Sequence, residues 1–204
     1  MVAFVRKEWE KIPYPNFLCP LALLLTIMQV NDRRSNKARS PTAALNGPAP
    51  EEILEQMTDF APEQWVATKS AEEKEDWLLL GRIYQSASIL FCLSSLADQF
   101  TWVSDQDLNN LHAVHKTRLA FYLKKAEELL PVIRACLWPI VVAGVVVALD
   151  DLDMRELVRR ALDRLADELG VESLKEAKGV FQEFWWSGKR GWDDCFDRPY
   201  AFVQ

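Results

Sequence analysis

The chain has 204 residues, of which 50% are hydrophobic and 26% are charged, a composition that excludes an intrinsically disordered protein and fits one folded domain. Its net charge of −6 argues against a general affinity for nucleic acid, because phosphate binding depends on clustered Lys and Arg. The four cysteines have no C-x-x-C spacing, so we expect no zinc cluster, no disulfide framework and no metal or cofactor.

Secondary-structure patterns point to helices throughout the chain. No segment shows sustained strand alternation, and no hairpin-turn chemistry lies between two apolar runs. Apolar residues recur instead at helical spacing in several long segments. We therefore predict an all-α fold, with about seven stacked helices in a single domain that covers residues 1–204.

The N-terminal part of the chain predicts an ordered arm over residues 1–17 and then a buried helix from Pro20 to about Arg34. The apolar run at 17–30 imitates a signal peptide, but charged residues precede it and a basic stretch follows it directly. We therefore expect an intracellular protein, cytoplasmic or, if it regulates genes, nuclear. Residues 35–50 predict a long loop, after which Pro50 opens a short helix.

A long third helix is predicted to begin at the capping box Ser70 to Glu73 and to end near Asp98. Its interior carries several polar side chains, and buried hydroxyls and amides need hydrogen-bond partners. These groups either bond to neighbouring backbone carbonyls or face a cavity that holds a ligand. The residues concerned are Tyr84, Gln85, Ser86, Ser88, Ser94 and Ser95.

The fourth predicted helix spans Asp105 to Leu129 and places His112 and His115 on one face, where they could share a metal ion. Nothing near them in the sequence supplies a third ligand. A solvated or hydrogen-bonded pair is therefore the preferred interpretation, and no metal site is predicted.

The segment after Arg134 is the most apolar in the chain, since no charged residue occurs before Asp150. It is shorter than the roughly 18 apolar residues that suggest a membrane span, and it contains Pro139 and Gly144. We therefore predict a buried central helix near 135–149 and no association with a membrane.

Three acids, Asp150, Asp151 and Asp153, follow this segment and invite comparison with an aspartate-rich magnesium motif. Their spacing is one residue too short for that motif, and acids at a helix N-terminus explain them better. An amphipathic helix should then end at Gly170, and a last helix should span Ser173 to Trp186, with the aromatic tail packed on the body.

The chain contains no P-loop, dinucleotide-binding glycine fingerprint, nucleophile elbow or HExxH motif. It does contain a characteristic order of short motifs. These are Ile53-Leu54 with Phe60-Ala61-Pro62-Glu63 and Trp65, Tyr84-Gln85-Ser86-Ala87 before Ser94-Ser95-Leu96, Leu137-Trp138-Pro139 with Ala143-Gly144, and Phe184-Trp185 followed by Gly188 and Trp192-Asp193-Asp194-Cys195-Phe196-Asp197.

From about residue 17 onward, this order resembles the C-terminal part of the fungal-specific transcription factor domain, the helical regulatory region of fungal zinc-cluster activators. The resemblance implies an all-α domain that receives small-molecule or protein signals, and it implies no catalytic residues. Family members that regulate genes carry an N-terminal cluster of six cysteines that binds two zinc ions. This sequence has no such cluster, so we expect no direct DNA binding of the family's kind.

Two functions remain open, and we favour the first, because a regulator without the DNA-binding half of the family needs an additional partner to have any effect. The first is a stand-alone domain that binds a hydrophobic small molecule, for example a cofactor-free cyclase, pericyclase or isomerase of fungal secondary metabolism, in which a shaped pocket orients the substrate. The second is a transcription-regulator-like protein that acts through protein partners, or as a homodimer. For the first function, the candidate hydrogen-bond donors are Tyr84, Gln85, His112 and His115, and the candidate pocket walls are Trp77, Trp138, Trp185 and Trp186.

Overall fold

The computed structural model describes residues 19–39, 47–67, 69, 73–147 and 151–196, and all regular elements in these ranges are helical. This confirms the all-α prediction. The helices are α1 (Leu21–Arg39), α2 (Pro50–Thr58), α3 (Pro62–Val66), α4 (Lys74–Ser95), a 3-10 turn (Ala97–Gln99), α5 (Asp105–Ala126), α6 (Leu130–Arg134), α7 (Leu137–Val146), α8 (Leu152–Leu169), α9 (Ser173–Ser187) and α10 (Trp192–Cys195).

The described residues contain ten α-helices rather than about seven. The additional ones are α3 and α6, with five residues each, and α10, with four. Helices of this length complete little more than one turn, so they leave no apolar period in the sequence. The predicted arm at 1–17, the capping residue Ser70 and the end of the tail, 197–204, lie outside the described residues.

Helix α4 is the centre of the fold. It packs against α1, α2, α3, α5, α6, α7 and α10, and most of its length is buried. Its length and composition would also allow it to cross a membrane, but 67% of its most apolar window is covered by the other helices. That burial is typical of a core helix in a folded domain.

The predicted helix near 135–149 is observed as a buried helix that covers a shorter range. Helix α6 ends at Arg134, residues 135 and 136 form a break, and α7 runs from Leu137 to Val146. Proline explains the break, because Pro139 lacks an N–H and is tolerated only in the first turn of a helix. The helix must therefore begin just before it. The charge-free segment supports α4 rather than forming the centre itself.

Helices α8 and α9 form a helical hairpin that packs on α7 mainly through α8, while α9 contacts α7 at Gly144. Gly170 adopts a left-handed conformation, with φ of 65°, and ends α8 as the sequence predicts. The side chain of Asp151 caps the other end by accepting a 3.1 Å hydrogen bond from the Met154 N–H, which confirms its predicted role at a helix N-terminus. Asp150 lies outside the described residues. At the two ends of α8, Leu152 and Leu169 are exposed rather than buried.

Candidate functional site

The first pair of predicted residues, Tyr84 and Trp138, meets in the core between α4 and α7. Their rings stack with centroids 6.1 Å apart and planes 10° apart. The Tyr84 hydroxyl donates a 2.9 Å hydrogen bond to the backbone carbonyl of Ala135, in the break between α6 and α7. Burial raises the pKa of Tyr84 well above its ordinary value, so the phenol stays protonated and keeps donating. The hydroxyl thus joins α4 to this break.

Gln85 lies on the neighbouring face of α4 and points toward the end of α2. Its side-chain amide nitrogen donates to the backbone carbonyls of Met57 and Thr58, at 3.2 Å each, and of Phe60, at 2.7 Å. The last carbonyls of a helix have no partner within the helix. Gln85 therefore satisfies the C-terminal end of α2 and its exit loop.

His112 and His115 lie one turn apart on α5. His115 is only 4% exposed, and its Nδ1 is buried without a hydrogen-bond partner in the described part of the chain. Burial, together with the nearby positive charge of Arg118, lowers the pKa of His115 to about 4. Burial and Lys116 also lower the pKa of the half-buried His112. Both imidazoles are therefore neutral at pH 7. Among the described residues, no three His, Cys, Asp or Glu side chains form a metal-binding group.

Trp77 belongs to an aromatic cluster between α3 and the start of α4. Its indole N–H donates a 3.2 Å hydrogen bond to the Glu73 carboxylate, and its ring meets Trp65 edge-on with centroids 5.7 Å apart. The ammonium of Lys69 lies over both rings, 4.7 Å from the centroid of Trp77 and 5.1 Å from that of Trp65. This arrangement fixes the entry into α4 by cation–π attraction.

Trp185 is buried where α9 meets α7. Its indole N–H donates a 2.8 Å hydrogen bond to the backbone carbonyl of Gly144, and its ring stacks on Phe181 with centroids 5.9 Å apart. The guanidinium of Arg155 covers the ring at 4.9 Å from the centroid. The next residue, Trp186, is 75% exposed.

The outer surface of the α8–α9 hairpin carries two open depressions, of about 420 and 550 Å³. Gln182 and Trp186 line both, so the two depressions are adjacent. The smaller depression is also lined by Leu152, Asp153, Arg155, Glu156, Arg159 and Trp185, and the larger by Gly179, Glu183 and Ser187.

The structure therefore places some of the predicted site residues next to each other and others far apart. Tyr84 contacts Trp138 directly, while Trp185 and Trp186 line one surface depression. The side-chain donors of Tyr84, Gln85 and Trp185 are already used within the fold.

Sequence reasoning missed Arg155, which lies beside Trp185. The spacing of Leu152, Arg155, Glu156 and Arg159 along α8 is the one signal that could have indicated a shared face.

Over 203 residues, the chain is 31% identical to the phomenoic acid biosynthesis cluster-specific transcriptional regulator of Leptosphaeria maculans (strain JN3). The match covers 98% of this chain and 39% of the relative, so the chain spans about two fifths of the length of that protein. No family model and no solved structure matches the chain. Over nearly all its length, the chain is thus similar to one part of a fungal cluster-specific transcriptional regulator.

Proposed function

We propose that this chain is a regulatory helical domain that controls transcription of a biosynthetic gene cluster through protein contacts and without catalysis. The observation that carries the proposal is the similarity to a cluster-specific regulator along nearly the whole chain. Because that relative is much longer than the match, the proposal concerns regulation and not a complete regulator. Action on transcription implies a nuclear location.

The surface chemistry also favours protein partners over nucleic acid. The net charge is −6, which opposes binding to a polyanion. Among the described residues, two tryptophans are largely exposed, Trp102 at 89% and Trp186 at 75%. Tryptophan is among the residue types most enriched in the energetically dominant parts of protein interfaces. Exposed tryptophans therefore suit a domain that is recognised by other proteins.

A cofactor-free cyclase or isomerase that binds a hydrophobic small molecule is the less supported function. Such an enzyme needs hydrogen-bond donors directed at the reacting atoms in a shaped pocket. Tyr84 and Gln85 instead donate to backbone carbonyls of the fold. A substrate would have to displace these bonds.

A gene deletion can test the two functions against each other. If the chain regulates transcription, its loss should change the transcript levels of several neighbouring genes together, and the wild-type gene should restore them. A His112→Gln variant should restore them equally well, because regulation does not use the imidazole as an acid or base. Unchanged transcripts, together with loss of one product and accumulation of an isomer of equal mass, would contradict the proposal and support the enzyme.

A further inference from the structure

The outer face of the α8–α9 hairpin has the pattern of a helix-binding surface. The residues that line its depressions recur at i, i+3, i+4 and i+7 on both helices: Leu152, Arg155, Glu156 and Arg159 on α8, and Gly179, Gln182, Glu183 and Trp186 on α9. This spacing describes one continuous face of each helix. Two adjacent helix faces form a groove into which a third helix can pack.

The groove has large apolar side chains that the fold itself leaves uncovered. Leu152 is 70% exposed and Trp186, which lies between the two depressions, is exposed to a similar degree. Trp185 forms part of the floor of the smaller depression. Covering these surfaces would remove apolar area from water, which is the main favourable contribution to association.

Gly179 is a second, independent feature of this face. It lies in the middle of α9, where glycine costs about 1 kcal/mol of stability relative to alanine. Packing among the described residues does not require it, because a β-carbon built at this position would have none of them within 4 Å. An absent side chain at a surface position does, however, allow a second backbone to approach closely. Gly179 therefore leaves room for a second helix backbone to come close to α9 at this point.

Arg155 is the polar residue of this face that would select a binding partner by its charge. Its Nε and Nη2 atoms are buried and have no hydrogen-bond partner in the described ranges, and its guanidinium rests on Trp185. Its neighbour Arg159, by contrast, is paired with Glu156 at 3.3 Å. Arg155 also lines the smaller depression and forms no ion pair with the described residues, so its guanidinium is complementary in charge to a carboxylate of a docked partner.

We propose that this groove is the docking site for an amphipathic helix of a partner protein, with an Asp or Glu at its centre that pairs with Arg155. Large apolar side chains of that helix cover Leu152 and Trp186, and its backbone passes over Gly179. Basic residues near its ends face Asp153 and Glu183, two exposed acids for which the described residues provide no ion pair. The proposal names the partner surface of the regulatory function proposed above and rests on that function.

The test selects binders from a displayed library of 18-residue peptides with a helix-favouring background, using the full chain as the target. Selected peptides should combine large apolar residues at i, i+3 and i+4 with a central Asp or Glu. Their Kd should rise at least about tenfold with Arg155→Met and with Trp186→Ala. The matched controls are Arg160→Met, whose guanidinium pairs with Glu127 away from the groove, and Trp102→Ala, and both should leave Kd unchanged.

The Gly179→Ala variant distinguishes an effect on helix docking from an effect on folding stability. Alanine is the better helix former, so this variant should unfold at a higher urea concentration while binding the selected peptides several-fold more weakly. No selected helix, or helices whose binding is insensitive to Arg155→Met and Trp186→Ala, would overturn the docking site. The transcript changes of the deletion strain would stand in that case, so failure of this proposal is distinguishable from failure of the proposed function.

Discussion

The ring of Phe181 lies directly against Gly144, so that a β-carbon on Gly144 would come within 2.6 Å of the Cε1 and Cζ atoms. Phe181 is fully buried, and the Trp185 indole N–H donates a hydrogen bond to the Gly144 carbonyl. Neither α7 nor α9 can therefore easily move away from the other. We therefore expect Gly144→Ala to lower the free energy of unfolding by about 1–3 kcal/mol, as overpacking of a core usually does. Urea denaturation followed by circular dichroism measures this change.

The control for this prediction is Gly179→Ala, the same substitution in another helix where the added carbon meets open space. It should raise the free energy of unfolding, by up to about 1 kcal/mol, through helix propensity alone. Equal effects of the two substitutions would show that the contact between Gly144 and Phe181 does not constrain the packing of α7 on α9.

A second prediction concerns the hydroxyl of Tyr84. Tyr84→Phe leaves the buried carbonyl of Ala135 without its 2.9 Å donor, and this should cost about 1–3 kcal/mol of stability. Tyr122→Phe is the control, because the partly exposed Tyr122 hydroxyl forms no hydrogen bond with the described residues. Urea midpoints of the two variants should therefore differ clearly, and matching midpoints would contradict a stabilising role for the Tyr84 bond.

Periodicity and end signals predicted the long helices well. The last helix was predicted to span Ser173 to Trp186 and is observed at Ser173–Ser187, and Gly170 ends the helix before it. These features depend on local chemistry, namely apolar spacing and a left-handed glycine, which is present in the sequence itself.

The candidate site was harder to predict because it depends on which helix faces meet. Trp185 and Trp186 look equivalent in the sequence, yet successive residues on a helix point about 100° apart, and only Trp185 faces Gly144. Arg155 gains its importance from lying on Trp185, a contact across 30 residues that the local spacing does not contain. Likewise, Gln85 is recognisable as a cap for α2 only once the two helices are packed together.

A third prediction concerns the hydrogen bonds by which Gln85 caps the C-terminal end of α2. In Gln85→Glu, an ionised carboxylate would face the carbonyl oxygens of Met57, Thr58 and Phe60, none of which can donate a hydrogen bond. We expect a loss of about 1–3 kcal/mol at pH 7, because these partly buried carbonyls lose their donor and face a negative charge. The loss should be smaller at pH 4, where protonation restores one donor. Gln106→Glu, at an exposed position of α5, is the control for the added charge.

Measured by urea denaturation, Gln85→Glu should therefore show a pH-dependent deficit that Gln106→Glu lacks. A deficit of the same size at pH 4 and pH 7 would mean that the substitution acts through shape rather than charge. Wild-type stability at pH 7 together with an intact α2 would contradict the capping role itself.

The last prediction is a pH dependence that arises from His115. Burial and Arg118 lower its pKa to about 4 in the folded state, against an ordinary value of 6.5 in the unfolded chain. Between these values the unfolded state binds the proton more readily, so stability is complete above about pH 6.5 and falls as the pH is lowered toward 4. The expected loss from this residue is on the order of 2–3 kcal/mol.

His115→Leu removes this contribution while it keeps the site apolar. The wild-type chain should thus lose more stability than the variant between pH 7 and pH 4 in parallel urea titrations. Carboxylates and His112, whose pKa is also lowered by burial, titrate in both proteins and cancel in the difference. Parallel stability curves for the two proteins would show that His115 is not held neutral by its burial. A slope of opposite sign would mean that a negative or hydrogen-bond-accepting partner stabilises the imidazolium, because burial by itself lowers the pKa of a histidine.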